Sequence, residues 1–217
     1  MKRNLTELVF ILDKSGSMAG LEADTIGGYN SMLKKQQKAE GEAIITTVLF
    51  NHRYELLHDR INIRGISPLT EKDYEVGGTT ALLDAIGSSI QKIVNVQKRT
   101  SAEERTEKVL FVITTDGMEN ASCEYTTEKI KKMIQFQKEK FGWEFIFLGA
   151  NIDAISTAAQ FGIDEDFAVD YHADSVGTQV NFEAINEAVQ NLRGGKRIDR
   201  AWKETIESDY KRCIAKN

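Results

Sequence analysis

The sequence predicts an α/β fold: a doubly wound, mostly parallel open sheet with helices on both faces and one antiparallel strand at its edge. Three observations carry that expectation. Apolar runs of strand length alternate along the chain with stretches whose apolar residues recur every three to four positions, the signature of strands alternating with amphipathic helices. Two of those runs, residues 8–12 and 109–114, are apolar almost throughout, as strands buried on both faces are. The run Arg53–Ile63 alternates weakly and is more polar, which suits an edge strand.

In chain order, the run Leu8-Val9-Phe10-Ile11-Leu12 reads as the first strand and ends abruptly at Asp13. From Leu21 to Ala39 the residues Ile26, Tyr29 and Leu33 share one helical stripe opposite lysines and glutamines, and Gly41 ends the segment. Ala43–Phe50 is β-branched and apolar, a second strand joined to the edge strand by the Asn51-His52 turn. Pro68 sits in the following loop, where its missing N–H costs nothing. A helix over 81–96 turns Leu82, Ile86, Ile90 and Ile93 inward, and the charged run Lys98–Lys108 reads as a solvated connection. After the strand at 109–114, Thr126 caps a helix that buries Ile130, Met133 and Ile134. Strands at 143–148 and 167–170 and helices at 151–161 and 181–192 complete the alternation, the last helix burying Phe182, Ile185 and Val189.

At 217 residues the length suits one domain, or one domain with an appendage. A net charge of −5 lacks the basic footprint of a nucleic-acid binder. The opening Met1-Lys2-Arg3 precedes an apolar run interrupted by Glu7, so it reads as a strand and not as a signal peptide. No run approaches the ~20 apolar residues of a membrane helix. The two cysteines, Cys123 and Cys213, have no metal-ligand or disulfide-framework spacing. These features point to a cytoplasmic protein.

The chemistry concentrates at Asp13-Lys14-Ser15-Gly16-Ser17. One carboxylate and two neutral hydroxyls follow a buried strand, and Gly16 lets the chain turn with both hydroxyls on one side. An all-oxygen set of this kind suits a hard cation such as Mg²⁺. In open α/β sheets ligands sit outside the carboxyl ends of the strands, where strand order reverses. Asp13 and Asp116 each stand just past the end of a fully buried strand.

Asp13-Lys14-Ser15-Gly16-Ser17 resembles the D-x-S-x-S motif of the von Willebrand factor A (vWA) domain, a Rossmann-like fold with a metal-ion-dependent adhesion site (MIDAS). Gly77-Gly78-Thr79-Thr80-Ala81-Leu82-Leu83-Asp84 and Val112-Ile113-Thr114-Thr115-Asp116-Gly117 resemble its two other pieces, in family order. The resemblance covers residues 5 to 193 and implies one divalent-cation site built by Asp13, Ser15, Ser17, Thr80 and Asp116. Ser15 and Ser17 would coordinate directly and Thr80 directly or through water. Thr79 is its rival, though Thr80 keeps the family's spacing to Asp84 and Ile86. Asp13 and Asp116 would act largely through bound waters. The cation expected is Mg²⁺, with Mn²⁺ or Ca²⁺ as substitutes, and a carboxylate from a protein partner would complete it. The implied protein is a stand-alone, monomeric binding module with no enzymatic activity.

Plainer readings compete residue by residue. Ser15 and Ser17 could be turn and cap residues, and Asp84 a capping residue. His52, His58 and His172 are scattered and read as ordinary surface or loop residues. Glu119 and Asn120 border the site and would either tune partner choice or solvate the loop. At the level of function, one alternative is a Mg²⁺-dependent phosphoester hydrolase or phosphotransferase resembling the haloacid dehalogenase type. Ser15 stands where that chemistry places its general acid. The other is a scaffold subunit with a purely structural metal. No phosphate-binding G-x-x-x-x-G-K-[ST] loop and no G-x-S-x-G elbow is present.

The domain is expected to span residues 1–193, followed by a C-terminal amphipathic helical extension at 194–217. Gly194-Gly195 stops the preceding helix. Ile198, Trp202, Ile206, Tyr210 and Cys213 then recur at helical spacing, predicting a helix over 199–214. Its apolar stripe must be covered, either by the same domain or by a partner.

Overall fold

The computed structural model describes residues 2–214, with side chains described from 5 to 213. They form β1 (Lys2–Asp13), α1 (Glu22–Lys38), β2 (Glu42–Phe50), β3 (Tyr54–Asn62), α2 (Leu82–Arg99) and β4 (Thr106–Thr115). These are followed by α3 (Thr127–Phe141), β5 (Glu144–Ala150), α4 (Ala154–Gln160), β6 (Ala168–Tyr171), α5 (Ser175–Arg193) and α6 (Glu204–Ile214). The strands make one sheet in the order β3-β2-β1-β4-β5-β6, with β3 antiparallel and the others parallel. This is the doubly wound sheet that the strand and helix alternation predicts. Lys2 and Arg3 belong to β1; Met1 lies outside the described residues.

Strand order reverses at β1, which pairs with β2 on one side and β4 on the other. Side chains of a strand alternate between faces. Leu8, Phe10 and Leu12 accordingly enter the core layer under α1 and α5, and Val9 and Ile11 the layer under α2, α3 and α4. All five are fully buried, and each contributes about 1.5–3 kcal/mol of hydrophobic stabilisation. Ile86, Ile90 and Ile93 of α2 are likewise buried, and Thr126 caps α3 by accepting from the Lys129 amide.

Several sequence expectations are revised. Helix α5 begins at Ser175, six residues before Asn181, because the Asp174 side chain caps it by accepting from the Gly177 amide at 2.7 Å. Its first turn is buried through Gly177 and Thr178, which a hydrophobic stripe does not register. The charged run after Lys98 is only partly a connection, since α2 continues to Arg99 and β4 starts at Thr106. Helix α4 starts at Ala154, since Asn151 takes a left-handed φ of 55° and Asp153 provides the cap. His58 is buried and hydrogen-bonds Thr47 Oγ1 at 2.9 Å, and burial lowers its pKa.

The tail packs on its own chain. Residues Arg200–Lys203 form a 3₁₀ turn, and only then does α6 begin. Ile198, Trp202 and Ile206 enter the same core layer as α1 and α5. Trp202 Nε1 donates to the Asp166 carbonyl at 2.8 Å, and Lys203 Nζ donates to the carbonyls of Glu165 and Ala168. Tyr210 stacks on His172, ring centroids 4.6 Å apart. A Trp143→Phe variant, which isolates Trp202, should therefore fluoresce with a blue-shifted, concentration-independent maximum. A red-shifted maximum that moves to the blue only as concentration rises would mean that a second chain provides the cover.

Candidate metal centre

Four loops meet at the carboxyl ends of β1 and β4. After β1 the chain bends through a 3₁₀ turn at Gly16–Met18. The Gly16 amide donates to the Gly78 carbonyl at 3.0 Å, and the Gly77 amide donates to the Lys14 carbonyl at 2.9 Å. These bonds staple the glycine loop onto the end of β1. Gly78 requires glycine twice over: its φ is +81°, and a β-carbon would stand 2.3 Å from His52 Nδ1. Asn51 holds the same loop from β2, donating to the Gly77 carbonyl and accepting at its own carbonyl from Ala81.

Ser15, Ser17 and Thr80 come together in space. Ser15 stands at the N-cap of the 3₁₀ turn, yet its hydroxyl makes no capping bond, which removes the plain cap reading for that residue. Its Oγ lies 3.0 Å from Ser17 Oγ. Thr80 is buried and Thr79 exposed, so Thr80 is the threonine turned inward. A β-carbon placed on Gly117 would lie 2.8 Å from Ser17 Oγ, 3.1 Å from Thr80 Oγ1 and 3.7 Å from Ser15 Oγ. The three hydroxyls therefore converge on space that Gly117 leaves open.

The two aspartates differ in their support. Asp13 is buried, and it accepts from the Ser15 amide at 2.7 Å and from Thr115 Oγ1 at 2.6 Å. Burial nonetheless pushes its carboxyl pKa up to about 6 against those two bonds. Asp116 is also buried, and both of its carboxylate oxygens lack a hydrogen-bond partner. Burial raises its pKa, offset in part by the nearby Ser17 hydroxyl. Unpaired buried carboxylate oxygens are costly unless a cation or water satisfies them. The donor set thus suits a hard divalent cation, which takes oxygen ligands and keeps several waters. Among the described residues no three His, Cys, Asp or Glu side chains cluster as a metal cage, so a cation here would depend on hydroxyls.

The neighbours of this set act as braces. Asn120 accepts from the Thr80 amide through Oδ1 and donates its own amide to the Thr80 carbonyl, at 2.9 and 3.0 Å. Glu119 accepts from the amides of Leu83, Ala121 and Ser122, and Asp84 from those of Cys123, Glu124 and Tyr125. Both carboxylates tie the loop after β4 to the start of α2. Sequence reading misses Thr115, which orients Asp13, and Tyr74, whose hydroxyl donates to the Asp13 carbonyl. Thr115 carried a signal, since it directly precedes Asp116; Tyr74 carried none.

No protein-family model matches the sequence, and no curated protein matches it. Solved structures match the fold. The proximal thread matrix protein 1 of the mussel byssus superposes with a TM-score of 0.57 at 14% identity over 87% of this chain and 46% of its own. A further structure of that protein is described as having a zinc-occupied MIDAS motif. The PilB minor pilin from Streptococcus sanguinis gives a TM-score of 0.61 at 12% identity, over 88% of this chain and 62% of its own. The vWF domain of the pilus tip protein Mfa5 from Porphyromonas gingivalis gives 0.55 at 12% identity, over 85% of this chain and 94% of its own. The chain thus spans about half the length of the mussel protein and nearly all of the isolated Mfa5 domain. Identities this low carry the architecture alone, and that architecture, with its β3-β2-β1-β4-β5-β6 sheet, is the fold of a von Willebrand factor type A domain.

Proposed function

We propose that this chain is a divalent-cation-dependent protein-binding module in which an acidic side chain of a partner completes the metal coordination. The observation that carries the reading is the buried Asp116 carboxylate, without a hydrogen-bond partner, beside three converging hydroxyls. Ser15, Ser17 and Thr80 would hold the cation, and Asp13 and Asp116 would supply charge largely through waters. Mg²⁺ is the cation expected, with Mn²⁺ or Ca²⁺ able to replace it. Neutral hydroxyl ligands leave the cation electrophilic, so a partner's Asp or Glu is its natural remaining ligand. The exposed Met118, beside Gly117, offers an apolar contact next to that carboxylate.

The module acts by binding and not by turnover, since Ser15 cannot serve as the general acid of a phosphotransferase. It works as a monomer in the cytoplasm, without nucleic acid or membrane. Both cysteines are free, and among the described residues no helix is long and apolar enough to cross a membrane. Solvent-proton relaxation with bound Mn²⁺ tests the mechanism. An aspartyl peptide should lower the relaxation enhancement by displacing a metal-bound water, whereas the same peptide with asparagine should not. Equal responses to the two peptides would rule out carboxylate completion, and hydrolysis of a phosphoester would rule out a pure binding module.

A further inference from the structure

A second surface lies away from the metal loops. Helices α2 and α3 cover the same face of the sheet and meet near one end. There Gly87 leaves room for the Tyr125 ring, which a β-carbon would approach to 2.3 Å. Farther along, a groove of about 1200 Å³ opens between them. Ile90 and Val94 of α2 line one wall, Met133 and Phe136 of α3 the other, with the largely buried Val109 and Trp143 also among its lining. Phe136 and Phe141, which touch edge to face, are each more than half exposed. Two adjacent aromatic rings left in water mark a contact surface.

Size and charge select the occupant. The groove exceeds the roughly 300–1,000 Å³ of small-molecule pockets, and it is open along one side. At about 1.5 Å per residue, the wall from Ile90 to Lys98 runs about 12 Å and that from Lys129 to Phe141 about 18 Å, the length of two to three helical turns. Lys98, Arg105, Lys129 and Lys132 line it against only Glu107 and Glu128, in a chain whose net charge is −5. Lys132 and Glu128 pair with each other at 2.6 Å, which leaves Lys98, Arg105 and Lys129 against Glu107, still a cationic rim. An apolar floor with a cationic rim complements a helix with an apolar stripe and acidic flanks.

We propose that this groove docks an amphipathic helical segment of a partner protein, two to three turns long, with aliphatic or aromatic residues inward and Asp or Glu along both flanks. The site is independent of the metal, because the groove occupies the half of α2 remote from Thr80. The test uses the full chain and a fluorescein-labelled synthetic 14-residue helix-forming peptide, with Leu at i, i+3, i+4 and i+7 and Glu on the flanks. Fluorescence anisotropy should report saturable binding that is equal in Mg²⁺ and in EDTA. Replacing the peptide's Glu by Lys should weaken binding at least about tenfold, and so should Phe136→Glu or the pair Lys98→Glu and Lys132→Glu. All three substituted side chains are exposed, so these variants should fold, as circular dichroism would verify. Equal affinity for the Glu and Lys peptides, or binding untouched by Phe136→Glu, would overturn the proposal. Binding of oleate that Phe136→Glu abolishes, without peptide binding, would overturn it in favour of an acyl chain.

Discussion

Ser15→Ala combined with Ser17→Ala should abolish measurable Mg²⁺ and Mn²⁺ binding while leaving the far-UV circular dichroism spectrum unchanged. Neither hydroxyl caps the turn it stands in, and their one shared hydrogen bond is with each other, at 3.0 Å. Removing both therefore takes away the proposed direct ligands, together with the Ser17 hydroxyl that partly offsets the burial of Asp116. Loss of even an outer-shell partner typically costs 10–100-fold in metal affinity, so losing two direct ligands should exceed about 100-fold. Calorimetry that finds undiminished affinity in the double variant would dismiss the site.

The same site sets a pH dependence with a definite sign. In the metal-free protein the Asp13 pKa stands at about 6 against an ordinary 3.8, because burial disfavours the carboxylate. A group raised on folding contributes stability that is present below about pH 4 and lost as pH rises through about 6. A bound cation favours the carboxylate instead. The melting-temperature difference between Mg²⁺-loaded and chelated protein should thus grow from about pH 5 to about pH 7. A flat or shrinking difference would argue against Asp13 serving a metal.

The second large effect lies midway along β1. Glu7 is fully buried, and Arg60 meets it through Nε at 2.6 Å and Nη2 at 3.4 Å. Gln97 and Thr106 donate to the same carboxylate at 3.1 and 3.3 Å. Arg60 adopts a left-handed φ of 53°, an unfavourable conformation for a non-glycine residue that the ion pair offsets. Arg60→Met would leave a buried charge with only neutral donors. Breaking a buried pair costs about 3–5 kcal/mol, and the partial exposure of Arg60 places the expectation at the lower end. At roughly 2–4 °C per kcal/mol for a chain of this size, the melting temperature should fall by roughly 6–12 °C. Adding Glu7→Gln should recover more than half of that loss, because the carboxylate's charge is the source of the penalty. A double variant no more stable than Arg60→Met would place the cost in lost packing instead.

Much of the architecture was legible because its cues are local. Apolar runs identified the central strands, weak alternation identified β3 as an edge, and three short motifs in order pointed to the loops that hold Ser15, Ser17, Thr80 and Asp116. Strand and helix periodicity depends on which side of one element is buried, and a chain carries that pattern whatever it packs against. Helix starts were less legible where a polar cap and small residues do the work, as Asp174 and Gly177 do for α5. The plain reading of His58 as a surface residue failed because its burial follows from β3 lying along β2, where Thr47 meets it.

By itself the sequence determined the order and kind of most elements, the α/β class and the residues worth testing for metal. The sequence already favoured Thr80 over Thr79 by its spacing to Asp84 and Ile86; tertiary structure alone decided that Asn120 braces Thr80 from 40 positions away and that Glu7 and Arg60 meet across 53 residues. It also decided that Trp202 is covered by its own chain and that a basic-rimmed apolar groove separates α2 from α3. Each of these depends on two segments far apart in the chain arriving at one place. The free energy that brings them together is the burial of the whole sheet, which no local pattern encodes.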